Sequence, residues 1–181
     1  MSSDEWFDFC VANPTLRVER TSAGEVLVMA PTGGETAHRN IDLSAQLQQW
    51  AKWDGCGKAF GSDAEFILPN GAALSPNASW VLTFRLNALT REQKRKFPAL
   101  CPDFVVELIS PTDRLPRVKE KMKEWMTNGV QLGWLIDADN ETIYIYRPNQ
   151  QPEQLTSRDT ILGEGPVAGF QLELDDIFAG L

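Results

Sequence analysis

The chain has 181 residues, with 17 Lys and Arg against 25 Asp and Glu, a formal charge of −8. That length can bury a hydrophobic core, and a 43% hydrophobic fraction with six Trp and nine Phe excludes a disordered chain. A single histidine, His38, and the dispersed Cys10, Cys56 and Cys101 exclude a three-histidine metal site and a paired-cysteine zinc motif, while the acidic balance argues against holding nucleic acid by bulk charge.

Every apolar run is too short to span a bilayer, so no membrane partner is expected. Met1 to Glu5 have no basic segment followed by an apolar one, so no secretory signal is expected. Scattered cysteines then suggest reduced thiols and a cytoplasmic setting. No linker, repeat or low-complexity tract divides the chain, and residues 1–181 read as a single domain.

Residues 4–12 predict a short helix, stopped at Asn13 because the residue before a proline disfavours helical geometry. Segments 15–21 and 25–30 flank Ala23-Gly24 and predict a hairpin. A long helix is expected from Glu35 to Trp53, with Asn40, Leu43, Leu47 and Trp50 as its inward stripe. Strands are expected near 58–61, 64–68 and 78–84. Thr90 and Gln93 make a capping box for a polar helix that ends in Lys94-Arg95-Lys96. The run Phe104 to Ile109 has the pattern of a strand covered on both faces. A second long helix over 114–128 is capped by Asn128-Gly129, and strands at 131–137 and 142–147 bracket a turn at Asp139-Asn140. The tail from 152 predicts short strands and a closing helical turn at 175–178. This order predicts an α+β (mixed α/β) fold with a central mixed sheet and two long flanking helices.

Glu107 is the charge out of place. Its neighbours in the 104–109 strand are all apolar, and a carboxylate is seldom buried unless it is paired, protonated or bound to a metal. Asp103 shares its face but lies about 13 Å away at the rise of a strand, too far to chelate the same cation, and reads as a strand-opening or loop carboxylate. In the helix that follows, Val118, Met122, Trp125 and Met126 define the buried stripe. Lys119 and Lys121 flank it on opposite sides, and the helical wheel does not choose between them; Lys123 points to solvent.

Taken together, PTGGETAHRN, LPNGAALSPNASW, CPDFVVELISPTD, EKMKEW and NGVQLGWLID resemble the Uma-two family, abundant in cyanobacteria, along nearly the whole chain. The resemblance implies a restriction-endonuclease-like PD-(D/E)XK fold and a metal-dependent endonuclease that hydrolyses DNA phosphodiester bonds with Mg²⁺ or Mn²⁺. It assigns Glu107 as a metal ligand, Lys121, four residues before Trp125, as the catalytic lysine, and Glu35 as an auxiliary metal carboxylate. The family's Ser-Pro-Asp is Ser75-Pro76-Asn77 here. An amide offers a hard cation a neutral oxygen in place of an anion, so weak metal binding and impaired cleavage are expected. Glu65 is a candidate to compensate, against its ordinary reading as an exposed hairpin glutamate. The alternatives are a catalytically inactive binding or assembly module on the same scaffold and a small-molecule or sugar-phosphate enzyme using Glu107 and Lys121. The basic cluster Arg91 to Lys96 reads first as helix-end charge and second as a DNA contact. A homodimer is the default expectation for an enzyme that cuts two strands.

Overall fold

The structure is a computed structural model that describes residues 1–181. Helix α1 (Ser3–Ala12) opens with a capping box between Ser2 and Glu5 and is followed by the hairpin β1 (Val18–Arg20) and β2 (Val26–Val28). Helix α2 (Gly34–Asp54) ends at Gly55, whose positive φ of 75° closes it. Strands β3 (Gly57–Gly61), β4 (Phe66–Ile67), β5 (Ala73–Leu74) and β6 (Ala78–Leu82) come next. Short helices α3 (Thr83–Asn87) and α4 (Arg91–Arg95) lead to β7 (Phe104–Leu108). Helix α5 (Leu115–Thr127) connects it to β8 (Leu132–Asp137), β9 (Thr142–Tyr146) and β10 (Glu153–Thr156). The chain closes with β11 (Thr160–Leu162), β12 (Gln171–Glu173) and α6 (Asp175–Ala179).

Six strands form the central sheet in the order β10-β9-β8-β7-β6-β3. Only β7 and β8 pair in parallel, and a parallel pair requires a crossover, which α5 supplies. A second sheet, β2-β1-β5-β4, stands beside it, and β11 pairs with β12. The expected α+β architecture with a mixed central sheet and flanking helices is what the chain adopts. One expected strand end differs, and one strand was not expected. The strand expected to reach residue 84 stops at Leu82, where the Asp103 carboxylate accepts the Leu82 N–H and pairs with Arg85, turning the chain into α3. Strand β5 has only two residues, too few to show a period.

The period of two in β7 decides what each face meets. Phe104, Val106 and Leu108 point to one side and pack with Leu43, Leu47 and Trp50 of α2. Val105 points to the other, into a core with Val118, Met122 and Trp125 of α5. Glu107 shares that second face. Gly57 permits the first core to close over β3, because a Cβ there would run into the Trp80 ring. A small third core of Trp6, Val18, Ile67 and Ala73 joins α1 to the second sheet. All three cysteines are free, and no helix is long and apolar enough to cross a membrane.

Candidate active site

Glu107 is only 4% exposed and directed at α5. Residues 121 and 125 are one turn apart on that helix and therefore stack on one face. Both reach the same oxygen: Lys121 Nζ lies 3.0 Å from Glu107 Oε1, and Trp125 Nε1 donates to it at 2.8 Å. The ammonium also donates to Glu19 Oε1 at 2.7 Å and to the Ser75 carbonyl at 2.8 Å. Three N–H donors thus face three acceptors. Lys119, the other flanking lysine, instead lies over the Tyr144 ring, 3.9 Å from its centroid, and Lys123 pairs with Glu120 on the surface.

Burial pushes the Glu107 carboxyl up, against the pull of Lys121; the neighbouring Glu19 raises it further, and the Trp125 N–H lowers it. For Lys121, burial opposes the charge, but Glu107 and Glu19 outweigh it and hold the ammonium above the ordinary lysine range. The cluster is costly to desolvate, by several kcal/mol per ion, and survives because its geometry is good and the α5 stripe beside it is buried. Side chains of that size contribute about 1.5–3 kcal/mol each. Replacing Trp125 with Phe keeps the ring and deletes the donor to Glu107. The expected loss is about 2 kcal/mol, within the range for a hydrogen bond to a charged group, read as a lower urea midpoint.

Glu19 is the member that sequence reasoning missed. It is the middle residue of β1, 5% exposed, and its Oε1 also accepts the Ser75 N–H at 3.0 Å. Arg20, its neighbour, points the other way, with its guanidinium over the Trp6 ring. Asn77 precedes β6 and meets the end of β7, where its Oδ1 accepts the Leu108 N–H at 2.8 Å. Its Nδ2 donates to Asn40 Oδ1 of α2, also at 2.8 Å.

Glu19, Asn77, Glu107 and Lys121 line one cavity of about 670 Å³. Its walls are the β1–β2 hairpin with residues 29–33, the start of α2, the loop 110–113 and the outer turns of α5. Glu35 is not brought to this cavity. Its carboxylate pairs with Arg39 at 3.3 Å, and Arg39 turns to Asp139 at 3.0 Å. The exposed-hairpin reading of Glu65 is corrected: the residue is 7% exposed, because it lies just before β4 under α1, where Trp6 Nε1 donates to it at 2.7 Å. It does not line the cavity. In the basic cluster, Lys96 bonds Asp4 and Glu92, so part of that charge closes α4 against α1.

No group of three or more His, Cys, Asp or Glu gathers to hold a metal ion. The donors present still fit a weak site. Glu19 and Glu107 engage protein partners only through Oε1, leaving each Oε2 uncommitted beside the cavity. One or two carboxylates completed by water and phosphate oxygens is the donor set magnesium accepts.

A central mixed sheet between two long helices, with a buried Glu–Lys pair between the sheet and α5, defines a restriction-endonuclease-like fold. The family model Uma2, described as "Putative restriction endonuclease", matches residues 3–175, and the chain belongs to that family. Among solved structures, the chain is similar to a crystal structure of "a putative nuclease belonging to DUF820" from Anabaena variabilis ATCC 29413. The TM-score is 0.76 at 21% identity, over 91% of each chain, a likeness of fold. No protein of the curated set matches the chain.

Proposed function

We propose that the chain is a metal-dependent endonuclease acting on DNA phosphodiester bonds, weakened by Asn77. The observation that carries this reading is the meeting of Glu19, Glu107 and Lys121 on the floor of one open cavity. Glu107 and Glu19 would hold Mg²⁺ or Mn²⁺, with Asn77 at the position of a lost acidic ligand. A divalent cation there supplies neutralisation of phosphate charge and a more acidic bound water. Lys121 is the cation the chain itself supplies. Held charged between the carboxylates, it offsets negative charge as it develops on the phosphate. With both carboxylates ionised the trio carries −1; an aspartate at 77 would make it −2. A homodimer presenting two such sites to two strands belongs to the same proposal.

One observation favours the inactive binding or assembly module instead. The Asn77 amide is engaged on both sides: its oxygen accepts the Leu108 N–H and its NH₂ donates to Asn40, bonds that a purely structural residue would make. The decisive variant is Asn77→Asp. A carboxylate keeps the Leu108 N–H bond, and the Asn40 amide can turn to donate where it now accepts. The fold should tolerate it. Nicking of supercoiled plasmid with Mn²⁺ should rise about tenfold or more over the parent, because the added anion is a charged donor to a hard cation, and should vanish when Glu107→Ala is added. If Asn77→Asp neither binds Mn²⁺ nor nicks, the inactive-module reading takes its place.

A further inference from the structure

Most charged side chains around the cavity are already matched. Lys121 is held by Glu19, Glu107 and Ser75; Arg17 donates to Thr32 Oγ1 and to the Ser62 carbonyl. Asp113 accepts from Ser110, Glu120 from Lys123 and Glu124 from Asn70. Arg117 is different. It lines the cavity, is exposed, and its guanidinium has no hydrogen bond or ion pair.

Its position is specific. Arg117 precedes Lys121 by four residues on α5, so the two share a face of the helix and are about 6 Å apart along the axis, with Arg117 at the mouth and Lys121 at the floor. The lining segment 27–31, from the β1–β2 hairpin side, is apolar and carries no cation. A chain entering the cavity with one phosphate at Lys121 has one cation waiting for its next charge. Arginine suits that task, since its planar fork grips a phosphate bidentately and it remains charged at any working pH.

Building on the nuclease reading, we infer that Arg117 is a positioning residue that binds a second phosphate of the same strand, next to the one at the Glu19–Glu107–Lys121 floor. The preferred ligand is therefore an oligonucleotide strand with consecutive phosphates, and a lone nucleotide forfeits this contact. Because the chain is acidic overall, this one local contact carries a large share of strand affinity.

The test is binding of a fluorescently labelled oligonucleotide, followed by anisotropy in Ca²⁺ over a salt series, in the parent and in Asn77→Asp. Arg117→Ala should weaken binding about tenfold and reduce the slope of log affinity on log salt by about 1. Arg117→Lys should recover part of the affinity, because charge returns without the fork. The control is Arg114→Ala, which removes the same charge one turn earlier, outside the cavity, and should leave affinity unchanged. Equal losses from Arg117→Ala and Arg114→Ala would reduce the effect to bulk charge and overturn the contact alone. If neither the parent nor Asn77→Asp binds the strand, the nuclease reading fails and the contact fails with it.

Discussion

Replacing Lys121 with methionine should lower the stability of the fold by about 3–5 kcal/mol at pH 7.5, the cost of stranding buried charges without their partner. Methionine retains the apolar stem and the helix propensity, so the effect isolates the ammonium. Its removal leaves Glu19 and Glu107, each within 3.0 Å of the former Nζ position, facing one another in a site almost closed to water. Burial and the Glu19 charge already push the Glu107 carboxyl up, and without the ammonium that rise goes unopposed. A folded-state value above the unfolded one means that the Glu107 contribution is intact at low pH and is lost as pH climbs through the folded value. The deficit of Lys121→Met should therefore be greatest at pH 7.5 and shrink by pH 5. In the parent, Lys121 itself adds no such slope near neutrality, because its raised pKa keeps its contribution fully present below the ordinary lysine range. Urea unfolding at the two pH values measures this, and Glu19→Gln added to Lys121→Met should recover part of the loss at pH 7.5. A deficit that is the same at both pH values, and untouched by Glu19→Gln, would mean that the lysine matters only for packing.

The contrast between Glu107 and Glu19 shows what a sequence can disclose about such a site. Glu107 interrupts five apolar neighbours, and strand periodicity alone puts it on the α5 face beside Val105. The helical wheel leaves its partner on α5 open between Lys119 and Lys121, the family resemblance points to Lys121, and it is Lys121 that lies 3.0 Å from the carboxylate. Glu19 gives no such signal. It sits among Arg17, Arg20 and Thr21, a composition that reads as a solvated hairpin, and it is buried only because β5 and α5 arrive from more than fifty residues away. Glu35 lies outside the cavity for the converse reason: its local setting at the start of α2 resembles a site position, but its carboxylate pairs with the buried Arg39 one turn later. The long elements were legible because their periods are local. In the second sheet the β1–β2 hairpin and the strand near β4 were legible too, but β5, which joins them, was not, since its two residues are in a sheet only through pairing with distant partners.

Glu65 carries the second large effect, and it concerns pH. Burial beneath α1 pushes its carboxyl from 4.5 up to about 7; the Trp6 N–H works against that rise, and Glu19 adds to it. The folded pKa lies above the unfolded one. Below pH 4.5 the carboxyl is protonated in the native state and mostly so in the unfolded chain, and its contribution is retained. Between pH 4.5 and 7 the unfolded chain gives up its proton first, so the native state loses ground progressively, and above pH 7 the penalty is constant. A shift of this size corresponds to about 3 kcal/mol, and residual solvent access brings the expected effect to about 2 kcal/mol. Glu65→Gln mimics the protonated acid, keeps an oxygen for Trp6 and cannot ionise. It should match the parent in stability at pH 4.5 and exceed it by about 2 kcal/mol at pH 8. Thermal or urea unfolding at both pH values decides the matter, and a variant that is destabilised at pH 8 would show that the parent keeps Glu65 ionised and well paired. Glu65 also lies close enough to feel the charges of Glu19, Arg20 and Lys121. Its ionisation above pH 7 therefore adds negative charge behind the cavity floor, and the same variant should lessen any change in divalent-ion affinity between pH 6 and 8 that this charge produces.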